Sequence, residues 1–328
     1  MAFAGFGSSR IPFDMFDLPG EARRAEKLAS LYHRGQDLVW DGRKVLAELI
    51  QRHGGIQIKG DKRAALSKIF GVIMWGELGA WKVSLQLADQ LVPLEAKMAA
   101  TSQGHDEARH FYVMHDYLAA LGDVPRSMDR ASRVLLDMVL ETPDLIKKLL
   151  GMQLMVESIA LTIFQVVRES RIEPVLCDLL RYYEKDEARH VGLGTQLLPE
   201  LILRLSKPKA FALFLFQMQI IGWTLAGLKS LQPAFLTLGI PPQRILHLGR
   251  AKQTLAFQTM WEGLKIDKLP PSRVAVTRFI AGVSEALFAQ GKSPLAAFRE
   301  AYRRDLDAEM PETSLHPDEA PRKVIVPS

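Results

Sequence analysis

Apolar positions recur at helical spacing along most of this 328-residue chain. Over residues 20–53 the inner side of one long amphipathic helix carries Leu28, Leu31, Leu38, Val45, Leu46 and Leu49, and Gly54-Gly55 stops it. Four long helices follow, near 62–91, 94–121, 144–170 and 174–205. Gly122 ends the second, and the fourth stops before Pro208. Pro93 and Pro174 mark helix starts, because proline is tolerated in a first turn and disfavours helix in the residue before it. A short helix near 127–141 fills the connection between the second and third. Helices near 242–264, 272–289 and 294–307 come after the four. Residues 1–19, with Pro12 and Pro19, read as an apolar arm over the surface, and residues 311–328, with four prolines, as a mobile tail.

Residues 210–228 carry no charge, and a run of 19 residues meets the length of a membrane span. Gln217, Gln219 and Thr224 interrupt it, and a span here would split a folded domain. The run is read as a helix buried against the bundle or in a dimer interface, with an access route for an apolar substrate as the lesser reading. The chain is therefore all-α. It divides into an N-terminal arm and long helix (1–60), a four-helix core (61–206), accessory C-terminal helices (207–310) and the tail (311–328).

One five-residue word occurs twice in the core. Asp106-Glu107-Ala108-Arg109-His110 returns 80 residues later as Asp186-Glu187-Ala188-Arg189-His190. In each copy Glu and His stand at i and i+3, so both leave one helical face. Thirty residues before each of these glutamates lies another, Glu77 and Glu157, set among Ile, Met, Val, Leu and Ala. An unpaired carboxylate in such company is costly. The midpoints of the two glutamate pairs, residues 92 and 172, fall beside Pro93 and just before Pro174. Each pair thus reads as a helical hairpin with its two carboxylates roughly 22 Å from the bend, facing each other at one height. Docking the hairpins brings four Glu and two His together. Hard oxygen and borderline nitrogen donors in that number suit iron or manganese better than copper.

This constellation resembles the ferritin-like di-iron carboxylate oxygenase family over residues 61–206. In that family two helices give one Glu each and two give Glu-x-x-His. The resemblance implies a ferritin-like four-helix bundle with additional N- and C-terminal helices. It implies two Fe ions, or a Mn/Fe pair, held by Glu77, Glu107, His110, Glu157, Glu187 and His190, with O2 as co-substrate. It also implies that Asp106 orients His190 and Asp186 orients His110. Arg109 and Arg189 are expected to pair with carboxylates of neighbouring helices. Met114 stands four residues after the first motif histidine, where the ribonucleotide reductase small subunit keeps a radical tyrosine. Tyr183 stands where arylamine N-oxygenases supply an extra histidine, so that reaction loses weight. Gln103, one turn before Glu107, is within reach of the metal ligands, although plain hydrogen bonding in the core is the commoner role for it and for Tyr183.

The function expected is an O2-activating oxidoreductase that hydroxylates, epoxidises or desaturates an organic substrate of apolar or acyl type. Ile73, Trp81, Leu154, Leu161 and Phe164 are its candidate lining. The alternatives are an iron-oxidising or storage protein of ferritin type and a Mn/Fe ligand-binding oxidase. The chain has no flavin fingerprint and one cysteine, Cys177, so a cysteine-ligated cluster and an internal disulfide are excluded. Electrons are expected from a ferredoxin or reductase. The net charge of +5 and basic groups such as Lys59, Lys62, Arg63 and Lys68 suit an acidic partner, an acyl carrier protein or a coenzyme A-linked substrate. A homodimer is expected, and nucleic acid is not. The N-terminus lacks a charged-then-apolar signal pattern, so a cytoplasmic location is expected. His33, His53, His105 and His115 are expected to lie outside the site.

Overall fold

The computed structural model describes residue 19 and residues 29–263, 271–289, 291–303 and 310–324. Its helices follow the chain as α1 (Ala29–Asp37), α2 (Gly42–Arg52), α3 (Gly60–Gln90), α4 (Leu94–Leu121), α5 (Arg130–Glu141), α6 (Leu145–Glu169), α7 (Pro174–Leu203), α8 (Lys207–Thr237), α9 (Pro242–Gly263), α10 (Pro271–Leu287) and α11 (Pro294–Arg303). No strand occurs among the described residues; an isolated bridge joins Thr313 and Arg322.

The two hairpins form where the punctuation places them. Helix α3 ends at Gln90 with Leu91 as its C-cap, and Pro93 caps the start of α4. Gly122 closes α4 with φ +86°, a left-handed conformation that glycine adopts at no steric cost. At the second bend Glu173 caps α7, its carboxylate accepting from the backbone N–H groups of Val175 and Leu176. The Tyr117 hydroxyl donates to the same buried carboxylate at 3.0 Å, tying the end of α4 to that bend. One apolar cluster joins Phe70, Tyr117, Phe164 and Leu179, and a second joins Val83, Ala100, Leu154 and Leu198. Each cluster sits at the bend of one hairpin and the open end of the other, and the acidic motifs lie between the two clusters.

The remaining helices pack on this frame. α1 and α2 lie against α4 and α7, α8 against α3 and α5, and α9 against α6 and α7. Helices α6 and α8 are both long and apolar enough to cross a membrane by length and composition. The apolar window of α6 is 78% buried and that of α8 is 28% buried. One face of α8 meets the bundle, while Phe211 and Leu215 are exposed.

Three expectations are corrected. The helix expected over 20–53 breaks between α1 and α2, because Asp41 accepts from Lys44 N at 3.0 Å and starts a new helix. Leu38 is therefore exposed rather than on the inner side, and Trp40 turns inward instead; residues 20–28, with Leu28, lie outside the described residues. The third bundle helix is not uniform: Leu150–Val156 is π-helical. The stretch expected as a mobile tail is docked over its described part, with Val324 fully buried. Lys252 Nζ donates to the Ser314 carbonyl at 2.7 Å, and Lys185 pairs with Asp318 at 3.1 Å. The arm 1–18 lies outside the described residues.

Candidate metal centre

Four helices deliver six ligand-type side chains to one depth of the bundle. Glu77 comes from α3, Glu107 and His110 from α4, Glu157 from α6 just after the π-helical turn, and Glu187 and His190 from α7. All six are buried. They form two overlapping quartets: Glu77, Glu107, His110 and Glu187, and Glu107, Glu157, Glu187 and His190. Within each quartet the donor atoms lie within 4.8 Å of one another. Glu107 and Glu187 belong to both, so each would be within reach of either of two ions. The imidazole centroids are 6.1 Å apart.

Both histidines turn Nδ1 to the cluster. His110 Nδ1 stands 3.1 Å from Glu187 Oε1 and 3.6 Å from Glu77 Oε2. His190 Nδ1 stands 3.0 Å from Glu107 Oε1 and 2.9 Å from Glu187 Oε2. Their Nε2 atoms turn away to aspartates of the opposite motif, His110 to Asp186 at 3.0 Å and His190 to Asp106 at 3.4 Å. The crossed Asp–His pairing expected for Asp106 and Asp186 is thus present, and it fixes which nitrogen is left for a metal. Arg109 donates to both aspartates, at 2.6 and 2.9 Å, and Arg189 does the same at 2.8 and 2.7 Å. The two guanidinium groups neutralise the buried aspartates.

The residues fit two metal ions. Glu107 Oε2, His110 Nδ1 and Glu187 Oε1 are buried with no hydrogen-bond partner, a costly state that a bound cation relieves. Burial and the charge of Glu187 raise Glu77 and Glu157 well above the usual carboxylate range. Burial also pushes Glu107 and Glu187 up, but the facing histidines outweigh it and hold both below that range. Burial lowers the two imidazoles, yet the carboxylates around them raise both well above the ordinary histidine value.

Further groups line this shell. Tyr183 stacks on His110 with centroids 4.2 Å apart, and its hydroxyl donates to the His110 carbonyl at 2.7 Å. Gln103 donates to Glu107 and Glu157. Sequence reasoning missed two members. Trp40 Nε1 donates to Asp186 Oδ2 at 2.8 Å, and its ring receives the Arg109 guanidinium; the signal was an aromatic just before the capping Asp41. Gln153 donates to Gln103, and the signal was a lone amide in an apolar run. His33, His105 and His115 are exposed, and His53 pairs with Asp178 at 2.9 Å. Met114 is buried.

A cavity of about 290 Å³ reaches Glu77 and Glu157. Ile73 and Ala160 of the bundle face Ile221, Leu225 and Phe257 of α8 and α9 across it. Thr224 Oγ1, also in its wall, is buried without a hydrogen-bond partner among the described residues. Of the expected lining only Ile73 is there. Leu154, Leu161 and Phe164 pack in the core, because α6 presents Val156, Ala160 and Ile163 to the cavity, and Trp81 of α3 is outside its lining.

Solved structures place this architecture. An R2-like ligand-binding oxidase variant with an aerobically reconstituted Mn/Fe cofactor superposes with a TM-score of 0.55 at 17% identity, over 71% of this chain and 94% of that one. The fold is ferritin-like. An R2-like ligand-binding oxidase with an aerobically reconstituted metal cofactor after photoconversion gives a TM-score of 0.57 at 15% identity, over 71% of this chain and 93% of that one. The R2-like ligand-binding oxidase of Sulfolobus acidocaldarius gives 0.54 at 17% identity, over 75% and 93%. No protein-family model matches the sequence, and no curated protein matches it.

Proposed function

We propose that this protein is an O2-dependent oxidoreductase that uses two iron ions, or one manganese and one iron, to oxidise an apolar organic molecule. The observation that carries the reading is the pair of overlapping quartets opening through Glu77 and Glu157 on an apolar cavity. Two such ions, when reduced, supply electrons to O2 together. The protein's part is to hold them, exclude water and present the substrate. Glu77, Glu107, Glu157 and Glu187 balance the charge of two divalent ions inside an apolar bundle. Asp106 and Asp186 orient His190 and His110. Residues of α8 and α9 face the substrate.

Hydroxylation, epoxidation and desaturation all begin with attack on a C–H or C=C bond of an apolar group, and the walls suit such a group. Electrons come, in this reading, from a ferredoxin or reductase. Lys59, Lys62, Arg63 and Lys68, all exposed, offer it a basic landing surface. Of the two metal contents, the Mn/Fe pair is favoured by the cofactor named for the structural neighbours. Metal analysis after loading with both metals separates the two. A storage shell is disfavoured, because α8, α9 and α10 wall a cavity beside the candidate ligands instead of leaving a bare four-helix subunit.

The test is anaerobic Fe(II) loading followed by O2, watched by absorbance and metal analysis. A transient visible band with about two irons per chain is expected. His190→Ala and Glu157→Ala are each expected to abolish two-metal binding while keeping the helical circular dichroism. Full metal content in either variant would remove that residue from the site.

A further inference from the structure

Gln103 lies one turn before Glu107 on α4 and is buried. Its Nε2 donates to Glu107 Oε1 and to Glu157 Oε1, both at 3.1 Å. The two N–H groups of one amide thus join carboxylates from two helices. Glu107 is shared by both quartets, whereas Glu157 belongs only to the quartet of His190. The Gln103 Oε1 atom accepts from Gln153 Nε2 at 3.1 Å. Gln153 is fully buried and sits in the π-helical part of α6. Helix α7 leaves room for it at Gly194, where a Cβ would come within 2.7 Å of the Gln153 Cβ. The carboxylates select the Nε2 end of the Gln103 amide, and Gln153 holds its Oε1 end in place.

Glu77, the counterpart of Glu157 in the other quartet, has no such clamp. Among the described residues no amide donates to it, and its contact is with His110 Nδ1 at 3.6 Å. We infer that Gln103, oriented by Gln153, is a positioning residue that holds one oxygen of Glu157 and so makes the two metal positions unequal. The inference rests on the two-ion reading above. A carboxylate with one oxygen held by an N–H has its other oxygen preset toward the ion, and it cannot swing freely between binding modes. The position beside His190 then has a fixed terminal carboxylate, and the position beside His110 has an adaptable one.

Anaerobic titration of the full-length protein with 57Fe(II), followed by Mössbauer spectroscopy, tests this. The wild type is expected to take up two irons in separable steps and to show two quadrupole doublets. Gln103→Met keeps the volume and removes the amide. It is expected to weaken one iron position about tenfold or more and to shift one doublet, leaving the other in place. Gln153→Met touches no carboxylate and is expected to shift the same doublet by a smaller amount. If Gln103→Met loses helical content, the Gln153→Met spectrum decides. Equal changes at both positions, or none in either variant, overturn the inference while two-iron binding survives. A wild type that takes up fewer than two irons overturns the two-ion reading and this inference with it.

Discussion

Protons stand in for metal at this site, and their placement can be traced side chain by side chain. Burial and neighbouring carboxylates favour the protonated forms of Glu77 and Glu157, and surrounding carboxylates favour those of His110 and His190. Imidazolium charges there would balance ionised Glu107 and Glu187. Two divalent ions, four carboxylates and two neutral imidazoles sum to zero charge as well. Loading both ions is therefore expected to release protons from Glu77, Glu157, His110 and His190. Protons compete with the ions, so affinity rises with pH and weakens on acidification. Calorimetric titration in buffers of different ionisation heat counts the protons, and a release near zero would contradict this inventory. The convergence of these six side chains was legible in the sequence, because Glu-x-x-His puts both groups on one face of any helix and the repeat keeps its register. Trp40 and Gln153 were not, because each reaches the site through a local departure from the regular helix: the break before α2 and the π-helical turn of α6.

Helices and bends show the same division. Pro93, Gly122 and Pro174 marked both hairpins in advance, since each acts through its own backbone. The π-helical stretch Leu150–Val156 has no such marker; it depends on what lies opposite. A Cβ at Gly151 would meet Val139 at 2.9 Å, and one at Gly194 would meet Gln153 at 2.7 Å. Gly194→Ala is expected to cost about 1–3 kcal/mol, because that packing cannot give way without moving the wider turn. Chemical denaturation measures the cost, and an unchanged midpoint would show that α6 shifts freely. At the other end of α4, Gly122→Ala forces a side chain into the left-handed region and is expected to cost about 1 kcal/mol by the same measurement.

On the scale of the whole molecule, long-range contacts decide what the pattern left open. The proline-bearing stretch after α11 looked like a tail because its sequence has no period, yet Lys252 anchors it. Burial pushes the Lys252 ammonium down to about 8, although Glu184 and Glu169 oppose the shift. Lys252→Met removes the donor to Ser314 and is expected to speed proteolytic cleavage within residues 310–324; an unchanged cleavage rate would mean that Asp318 and Arg322 suffice. The cavity beside the candidate ligands was misplaced for a related reason: its outer wall comes from α8, α9 and α10, whose docking no local signal announces. Glu77 and Glu157 form part of that wall, while the other ligands are sealed in the bundle. A chelator must then reach the ions through the same space an organic ligand fills. Filling it should slow the stripping of iron by such a chelator, so leaching time courses become a screen for what the cavity accepts, even where no turnover is seen.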